Sequence, residues 1–566
     1  MVQQNLNDAG SHPVDAGNAW IRRAAPEIAI GGSGPLQGLR FAAKDNIDVA
    51  GLATTAACAE FSYLPTEHAT VVSKLLWSGA TVAGKTNLDQ FACGLNGTRS
   101  PYGAVPNAFD PAYVSGGSSS GSAYVVATGQ VHFSLGTDTA GSGRVPAGLN
   151  NIVGLKPTKG LISTFGLVPA AQSVDCISIF ATTVGLAARV LEAAMGYDAK
   201  DPYSRKLQLK STALPAAFRF GVPDVLEFCG DVLAEQAFGR AVQRMTELGG
   251  TPVTIPFAPL AQAASLLYES ALVAERYAAI RRFFDANEEH VVEPVRSIIG
   301  KGRSYDAADV YAAQTRLRAL GQQADAMWDR IDVLLVPTAP THYTIAQMLA
   351  DPVALNRNLG AYTNFVNLLD YAALAVPSEM RPDGLPFGIT LVGPCASDWQ
   401  LAELGQRYHH ATGLLQGALQ TPLPPPLKIV GISGTDSVRV AVVGAHLSGM
   451  PLNGQLTQRN ARLLAATRTA ADYKLYALPG TVPPKPGLLR VAPGAGSRIA
   501  VEVWEMPLAN LGSFVALIPE PLGIGTLRLE DGSTVQGFIC EPYALEGALD
   551  ISAFGGWRNY LASLKP

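Results

Sequence analysis

Hydrophobic and polar positions along the first 410 or so residues follow two periods in alternation. In TEHATVVSKLLWSG (66–79) apolar residues recur at helical spacing, and Gly79 is a stop signal. Short apolar runs with β-branched residues are typical of strands. The same criteria predict helices over 122–130 and 234–248, and strands over 81–85, 132–138, 251–255 and 333–341. This alternation predicts an α/β architecture with one large sheet.

The pattern changes at residues 414–436, where TPLPPPLK (421–428) suits an extended, semi-rigid linker. Beyond it, strand signals dominate, and Asp531-Gly532 is placed to form the turn of a hairpin. The strand signals lie in RVAVV (439–443), RIAVEVWEMP (498–507) and LRLEDGSTVQGF (527–538). We therefore predict one domain over 1–413, a linker over 414–436 and a small β-rich domain over 437–566.

Composition narrows the class of protein. Hydrophobic residues make up 48% of the 566 positions and charged ones 16%, which is enough apolar material for a large core. The net charge of −4 gives no reason to expect nucleic acid or an anionic membrane as a partner. Residues 1–17 lack the features of a secretion signal, and no apolar run approaches the ~18 residues of a membrane-spanning helix. We expect a soluble, cytoplasmic protein.

Cysteine spacing argues against a metal site. The six cysteines have no CxxC spacing, which is typical of reduced thiols rather than of a disulfide framework or a zinc site. They are Cys58, Cys93, Cys176, Cys229, Cys395 and Cys540. We expect neither a metal nor a cofactor.

Candidate chemistry lies in two Ser/Gly-rich segments and one upstream lysine. The segments are GGSSSGSA (116–123) and GTDTAGSGRVP (136–146), and the lysine is Lys44 in FAAKDNID. Glycines let the main chain approach a substrate closely. An amidase needs an activated serine, and a lysine can be the base if burial lowers its pKa. Lys44 follows the apolar run FAA, which makes its burial plausible.

An oxyanion hole is the second requirement of such chemistry. A strand-to-helix turn around Ser142 would aim successive backbone amides at one point. These would be the amides of Thr139, Ala140, Gly141 and Ser142. None of the eight histidines lies in either loop, and His132 is the nearest, so a Ser–Lys arrangement is the better candidate.

Other interpretations of these segments are weaker. A Ser/Gly run alone is usually a flexible linker, but the flanking apolar segments predict core elements on both sides. GSSSG (117–121) also fits a nucleophile elbow centred on Ser119, which leaves the second segment unexplained. A phosphate cradle would need a glycine pattern that neither loop has.

Taken together, the Lys44 motif and the two loops resemble the amidase-signature family over roughly residues 20–410. Ser118 and Ser142 have the 24-residue separation of that family's two serines. The resemblance implies that Ser142 is the nucleophile, Ser118 a bridging serine after a non-proline cis peptide, and Lys44 a neutral general base. It also implies a large mixed central sheet flanked by helices, and a substrate-binding role for Gly117.

A candidate anion-binding arginine lies further along the chain. The segment LYESALVAERYAAIRRFF (267–284) predicts one strong helix, with Tyr268 and Arg276 about two turns apart on a roughly shared side. Arg276 could select a substrate carboxylate. The alternative is a helix-surface charge, and this segment alone leaves both open.

The segment VAVVGAHLSGMPLNGQL (440–456) resembles the C-terminal domain of allophanate hydrolases, itself similar to the γ-glutamyl cyclotransferase fold. With it, the whole chain resembles the allophanate hydrolase family. The resemblance implies that Tyr268 and Arg276 hold a small anionic amide, and that its terminal amide is cleaved with release of ammonia. The C-terminal domain would then promote decarboxylation. Histidine can shuttle protons near neutral pH, so we place His446 in this second site, although a lone histidine is more often structural.

The resemblance further implies a homodimer and functional coupling to a urea carboxylase. Two other functions stay open. One is an amidase for another small amide, such as a malonamate-like or aryl amide. The other is the amidase subunit of a tRNA-dependent amidotransferase, whose members lack this C-terminal domain.

Overall fold

The computed structural model describes residues 17–31, 33–432 and 437–564, and the chain divides into two units, Met1–Ile432 and Ser433–Pro566. The predicted absence of a secretion signal concerns residues 1–17, all but the last of which lie outside the described residues. In the described residues, no helix is both long and apolar enough to cross a membrane.

The strands of the first unit are β1 Trp20–Ile28, β2 Arg40–Lys44, β3 Thr81–Thr86, β4 Phe133–Asp138, β5 Val153–Lys156, β6 Cys176–Ala181, β7 Phe218–Pro223, β8 Gly250–Ile255, β9 Val333–Pro337, β10 Ala372–Met380 and β11 Pro386–Gly393. Its helices are α1 Thr70–Trp77, α2 Ser120–Ala127, α3 Val145–Leu149, α4 Val184–Ala194, α5 Val232–Glu247, α6 Ala258–Glu269, α7 Ala274–Asn287, α8 Val295–Gly300, α9 Ala307–Asp325, α10 Ile345–Ala350, α11 Ala354–Leu359, α12 Asn364–Leu368 and α13 Asp398–Thr412. The predicted strands and helices named above are present, with ends shifted by a few residues, except the single helix predicted over 267–284.

All eleven of these strands belong to one sheet, in the order β1-β3-β2-β4-β6-β5-β10-β11-β9-β7-β8. The sheet is mixed, because β2 runs parallel to both β3 and β4 whereas β4 and β6 are antiparallel. The prediction of a large mixed sheet flanked by helices is therefore confirmed. Parallel neighbours end at the same sheet edge, so the C-terminal ends of β2 and β4 lie side by side.

Side chains on alternate positions of the sheet pack into different cores, as a sheet covered on both faces requires. In β2, Phe41 and Ala43 pack in the core that contains α1 and α4, whereas Ala42 packs with residues of α2. The chain therefore carries helices on both faces, and α2 lies on the face of Ala42.

The second unit is β-rich, as predicted. Its strands are β12 Ser437–Val442, β13 Arg462–Arg468, β14 Tyr473–Ala477, β15 Pro486–Arg490, β16 Ala500–Pro507, β17 Leu522–Arg528, β18 Thr534–Cys540 and β19 Leu549–Asp550, and its helices are α14 Gly454–Thr457, α15 Leu508–Val515 and α16 Trp557–Ser563. They form a five-stranded sheet, β13-β16-β12-β18-β17, and a three-stranded sheet, β15-β14-β19. The hairpin predicted around Asp531-Gly532 is the antiparallel pair β17–β18. The likeness to γ-glutamyl cyclotransferases stays a prediction.

Residues 414–432, which the sequence predicts to belong to a linker, pack against the first unit. The Asn151 side-chain amide donates to the carbonyl oxygens of Leu415 and Gly417, and Ile429 is buried in the main core. The apolar residues around the proline run explain this packing, because burying apolar surface away from water is favourable in free energy. Residues 433–436 of the predicted linker lie outside the described part of the chain.

Candidate active site

Lys44, Ser118 and Ser142 form one continuous polar chain at the sheet edge shared by β2 and β4. Lys44 ends β2, and its Nζ lies 2.7 Å from Ser118 Oγ. Ser118 precedes α2 after a cis Gly117–Ser118 peptide, and its Oγ lies 3.0 Å from Ser142 Oγ in the loop after β4. All three side chains are buried. The three residues that the sequence singled out are thus linked in one chain of contacts, with Ser118 between the other two.

Lys44 has a second hydroxyl partner that sequence reasoning missed. Its Nζ lies 2.7 Å from Oγ1 of Thr137 in β4. Burial lowers the pKa of Lys44 to about 7, although the carboxylates of Asp89, Asp175 and Asp138 oppose this shift. A large fraction of the amine is therefore neutral near neutral pH and can accept a proton from Ser118.

The loop after β4 is built around Asp138. Its carboxylate accepts hydrogen bonds from Arg144 Nε and Nη2, and from the backbone amides of Gly141 and Gly143. This buried ion pair explains why the loop turns tightly after the strand. Gly141 has a φ of +137°, and a Cβ there would approach Thr363 Oγ1 to 2.3 Å, so only glycine fits.

These contacts remove one amide, that of Gly141, from the predicted oxyanion donors. The Gly141 amide donates to Asp138 at 2.9 Å and is not available to a substrate in this conformation. Within the described residues, the amides of Thr139, Ala140 and Ser142 have no acceptor. These three remain the candidate donors.

Gly117 is closely surrounded. A Cβ at this position would lie 2.2 Å from Asp89 Oδ2 and 2.7 Å from the Gly97 nitrogen. The Asp89 carboxylate also accepts from the amides of Asn96, Gly97 and Arg99, so it holds this neighbouring segment in place. A side chain at 117 would therefore displace the peptide that carries Ser118. A direct substrate contact of Gly117 stays a prediction.

The prediction of one continuous helix over 267–284 is wrong. α6 ends at Glu269, Ser270 follows it, a short 3₁₀ turn covers Ala271–Val273, and α7 begins at Ala274. The physical reason is the serine itself, whose hydroxyl bonds back to the Leu266 carbonyl and accepts from the Leu272 amide. Tyr268 and Arg276 therefore lie on two different helices rather than on one side of the same helix.

Tyr268 and Arg276 nevertheless meet across this break. Arg276 Nη2 lies 3.2 Å from the Tyr268 hydroxyl, and its guanidinium carbon lies 5.3 Å from the ring centroid. Arg276 is 3% exposed, and its Nε and Nη1 have no hydrogen-bond partner within the described residues. Its charge contributes to lowering the pKa of Lys44, which places it near the polar chain. A buried cation with free donors is suited to bind an anion.

Asp175 is a further buried group that the sequence did not indicate. It accepts from the Thr139 hydroxyl at 2.5 Å and from the amides of Ala170 and Ala171. Burial raises the pKa of Asp175 to about 6, although these hydrogen bonds act to lower it. It lies 33 positions after Ser142, outside both loops, and nothing in the local sequence pattern distinguishes it. Thr137 lies in the second Ser/Gly-rich segment, but nothing in the sequence distinguishes it there.

A cavity of about 730 Å³ lies behind the loop after β4. Val174, Leu267 and Leu368 line it, and the same residues pack around Ala140. Lys44, Ser118 and Ser142 do not line this cavity. Choosing the active site by cavity volume would therefore give the wrong position for the reactive groups. The geometry of the hydroxyls and the lysine is the better guide.

His446 lies in the second unit, at the wall of a smaller cavity of about 240 Å³. Its Nε2 lies 2.9 Å from Gln455 Oε1, and its ring stacks on Phe538 with centroids 5.0 Å apart. Burial lowers its pKa. In the described part of the chain, no cluster of three or more His, Cys, Asp or Glu residues could hold a metal ion.

The chain belongs to the Amidase family, which matches residues 3–402, and it carries an allophanate hydrolase C-terminal domain, which matches residues 438–562. It is 46% identical to the urea amidolyase of Lachancea kluyveri over 546 residues, which are 94% of this chain and 30% of that protein. The urea amidolyase of Saccharomyces cerevisiae is 42% identical over 591 aligned positions, covering 100% of this chain and 32% of that protein. The chain thus spans about a third of the length of these relatives.

Among solved structures, an allophanate hydrolase from Kluyveromyces lactis is similar with a TM-score of 0.71 and 44% sequence identity. The match covers 94% of this chain and 89% of that one. The family resemblance inferred from the motifs is confirmed, and it extends over both units.

Proposed function

We propose that the first unit is an amidohydrolase that cleaves the terminal amide of allophanate (urea-1-carboxylate) and releases ammonia. The observation that carries the proposal is the chain of contacts from Lys44 Nζ through Ser118 Oγ to Ser142 Oγ, at 2.7 and 3.0 Å. A neutral amine at its end can draw a proton along this chain. The similarity to urea amidolyases and to an allophanate hydrolase supports allophanate as the substrate.

In the proposed reaction Lys44 takes the proton of Ser118 while Ser118 takes that of Ser142. Ser142 Oγ attacks the terminal carbonyl carbon, and the amides of Thr139, Ala140 and Ser142 stabilise the oxyanion. The proton then passes back to the departing nitrogen, which leaves as ammonia. Water attacks the acyl-enzyme by the same proton path and releases N-carboxycarbamate.

The anionic end of the substrate is proposed to bind Arg276, with Tyr268 beside it. The free Nε and Nη1 of this buried guanidinium can form a bidentate pair with a carboxylate. Arg276→Leu should raise KM for allophanate by about 10- to 100-fold with little change in kcat, because it removes ground-state binding rather than chemistry. Arg281→Leu, an exposed arginine on the same helix, is the matched control. An unchanged KM for Arg276→Leu would remove this role.

The second unit is proposed to promote decarboxylation of N-carboxycarbamate, with His446 handling the proton. The products of both units would be ammonia and carbon dioxide. A His446→Ala variant should release the first ammonia normally and slow the appearance of carbon dioxide. Equal rates would leave His446 as a structural residue.

The main test is Ser142→Ala, measured as ammonia released from allophanate. Loss of the nucleophile should lower the rate by at least about 10⁴-fold while the protein still folds. Ser120→Ala is the control, because that buried hydroxyl has no partner within the described residues and lies outside the polar chain. Activity of the Ser142→Ala variant close to that of the parent would refute the proposal.

A substrate panel separates the remaining alternatives. Allophanate should be cleaved faster than malonamate and than an aromatic amide, and the reverse order would favour a different small-amide amidase. A chain that is inactive alone and active with a tRNA-binding partner would favour an amidotransferase subunit. The homodimer, the coupling to a urea carboxylase and the cytoplasmic location remain predictions.

A further inference from the structure

The cavity beside His446 has one charged residue in its wall. The wall is mostly apolar and includes Leu452, Leu517 and Ile518. Lys485 is the charged residue, and it lies in the segment that precedes β15. Within the described residues, Lys485 forms no ion pair and the wall contains no carboxylate. A cavity of about 240 Å³ with a single unpaired cation is suited to a small anion.

The orientation of His446 follows from its neighbour. An amide oxygen can only accept a hydrogen bond, so the 2.9 Å contact with Gln455 Oε1 requires a hydrogen on His446 Nε2. The other ring nitrogen, Nδ1, has no partner in the described part of the chain. Stacking on Phe538 and an edge contact with Phe514 keep the ring from turning. Gln455 therefore sets which nitrogen is left for a ligand.

We propose that this cavity binds a small dicarboxylate through Lys485, and that Gln455 positions His446 so that Nδ1 faces the bound molecule. The inference rests on the proposed function of the second unit and names the residues that would select its substrate. Gln455, His446 and Lys485 all line the same cavity, which is the juxtaposition that carries the proposal.

In this cavity the two carboxylates of N-carboxycarbamate would have different surroundings. Lys485 pairs with the carboxylate that is retained, and the other lies against the apolar wall, where its charge is poorly solvated. The C–N bond to this second carboxylate breaks and its electron pair stays on nitrogen. Because the ring's hydrogen is on Nε2, His446 Nδ1 first takes a proton from solvent, which makes the ring an imidazolium. Nδ1 then gives this proton to the same nitrogen, so that the dianion and one proton give carbamate and carbon dioxide. Loss of neutral carbon dioxide removes the poorly solvated charge.

Malonate is the probe, because it carries two carboxylates on a one-atom bridge and has no C–N bond to break. Binding is measured by calorimetry on the full chain with Arg276→Leu, so that the proposed anion site of the first unit does not contribute. Lys485→Met should weaken malonate binding at least about tenfold. Lys485→Arg, which keeps the charge, should retain binding within about threefold. Acetate should bind more weakly than malonate to the parent chain.

Equal malonate affinity of Lys485→Met and its parent would overturn the inference, and the Arg variant excludes a folding defect as the cause of a loss. The release of the first ammonia reports on the first unit, and with Arg276 intact it should be the same in the Lys485 variants as in the parent. If His446→Ala fails to slow carbon dioxide release, the proposed role of His446 in the second unit falls. If it slows release while Lys485→Met changes neither binding nor rate, the inference alone falls.

Gln455 is proposed as a positioning residue and needs a separate measurement. Gln455→Leu should slow release of labelled carbon dioxide from ¹³C-allophanate about tenfold, because His446 loses the acceptor that sets its tautomer. Malonate affinity should stay within about threefold. A merely structural role would lower both together, and that result would remove Gln455 from the proposal.

Discussion

The adjacent strands β2 and β3 each carry a fully buried lysine near their C-terminal ends, and the two lysines have different surroundings. Lys44 pairs in register with Thr86, and Lys85 with Ala43, so the two side chains project from opposite faces of the sheet. Lys85 Nζ lies 3.3 Å from Asp45 Oδ1 and 3.0 Å from Thr54 Oγ1. Within the described residues, Lys44 forms no ion pair and contacts hydroxyls. Burial lowers the pKa of both lysines, so what separates them is the partner: Lys85 has a carboxylate beside it, whereas Lys44 faces the hydroxyls of Ser118 and Thr137.

The first way to break this comparison is Lys44→Met. Ammonia release should fall by about 10³- to 10⁴-fold, because the general base is lost. The free energy of unfolding should stay the same or rise, since burying an amine without a carboxylate partner is unfavourable. Steady-state kinetics and urea unfolding give both values. Activity within tenfold of the parent would show that Lys44 is not the base.

Lys85→Met should have the opposite profile. Removing one member of a buried ion pair leaves Asp45 uncompensated, so the free energy of unfolding should fall by about 3–5 kcal/mol. The rate per folded molecule should stay within about threefold, because Lys85 lies on the other face of the sheet. Adding Asp45→Asn should recover part of the stability. A stable but inactive Lys85→Met protein would contradict the assignment of the two roles.

The sequence alone marks both lysines alike, because FAAK and TVAGK are both short apolar runs that end in lysine. What singled out Lys44 was its own motif, FAAKDNID, together with the two serine loops. Asp45 directly follows β2, and Lys85 lies in the neighbouring strand β3. A local sequence pattern does not show that these two side chains pair. The same limit applies to Asp175, which meets Thr139 only through the folded chain.

Element types were more predictable than their ends and joints. The strands that position Lys44 and Ser142 follow from short apolar runs, a local property. The break at Ser270 was missed because the apolar spacing on either side of it continues the helical period. At the break the Ser270 hydroxyl competes for backbone partners, and apolar spacing does not record such a contact. The error mattered, since the contact between Tyr268 and Arg276 depends on the bend.

A smaller change sharpens the role of the hydroxyls around Lys44. Thr137→Val keeps the shape of the side chain in β4 and removes the second hydroxyl beside Nζ. We expect kcat to fall about tenfold, because the neutral amine loses an acceptor that orients its lone pair toward Ser118. Thr137→Ser keeps the hydroxyl and should stay near the parent rate. Equal rates for the Val and Ser variants would show that this contact does not orient the base.

The smallest expected effect is a shift in pH dependence. Burial lowers the pKa of Lys44 to about 7, so kcat/KM should rise about tenfold per pH unit below that value and level off above it, as the amine becomes neutral. Asp175 raises the pKa of Lys44 through its charge, and an asparagine there can still accept from Thr139. Asp175→Asn should therefore move the midpoint to lower pH, and the variant should keep a larger fraction of its own plateau at about pH 6. A midpoint that moves to higher pH would mean that a group other than Lys44 controls the titration. A pH profile that stays unchanged when Lys44 itself is replaced would mean the same. Either result would show that the two buried lysines do not differ in the way their partners indicate.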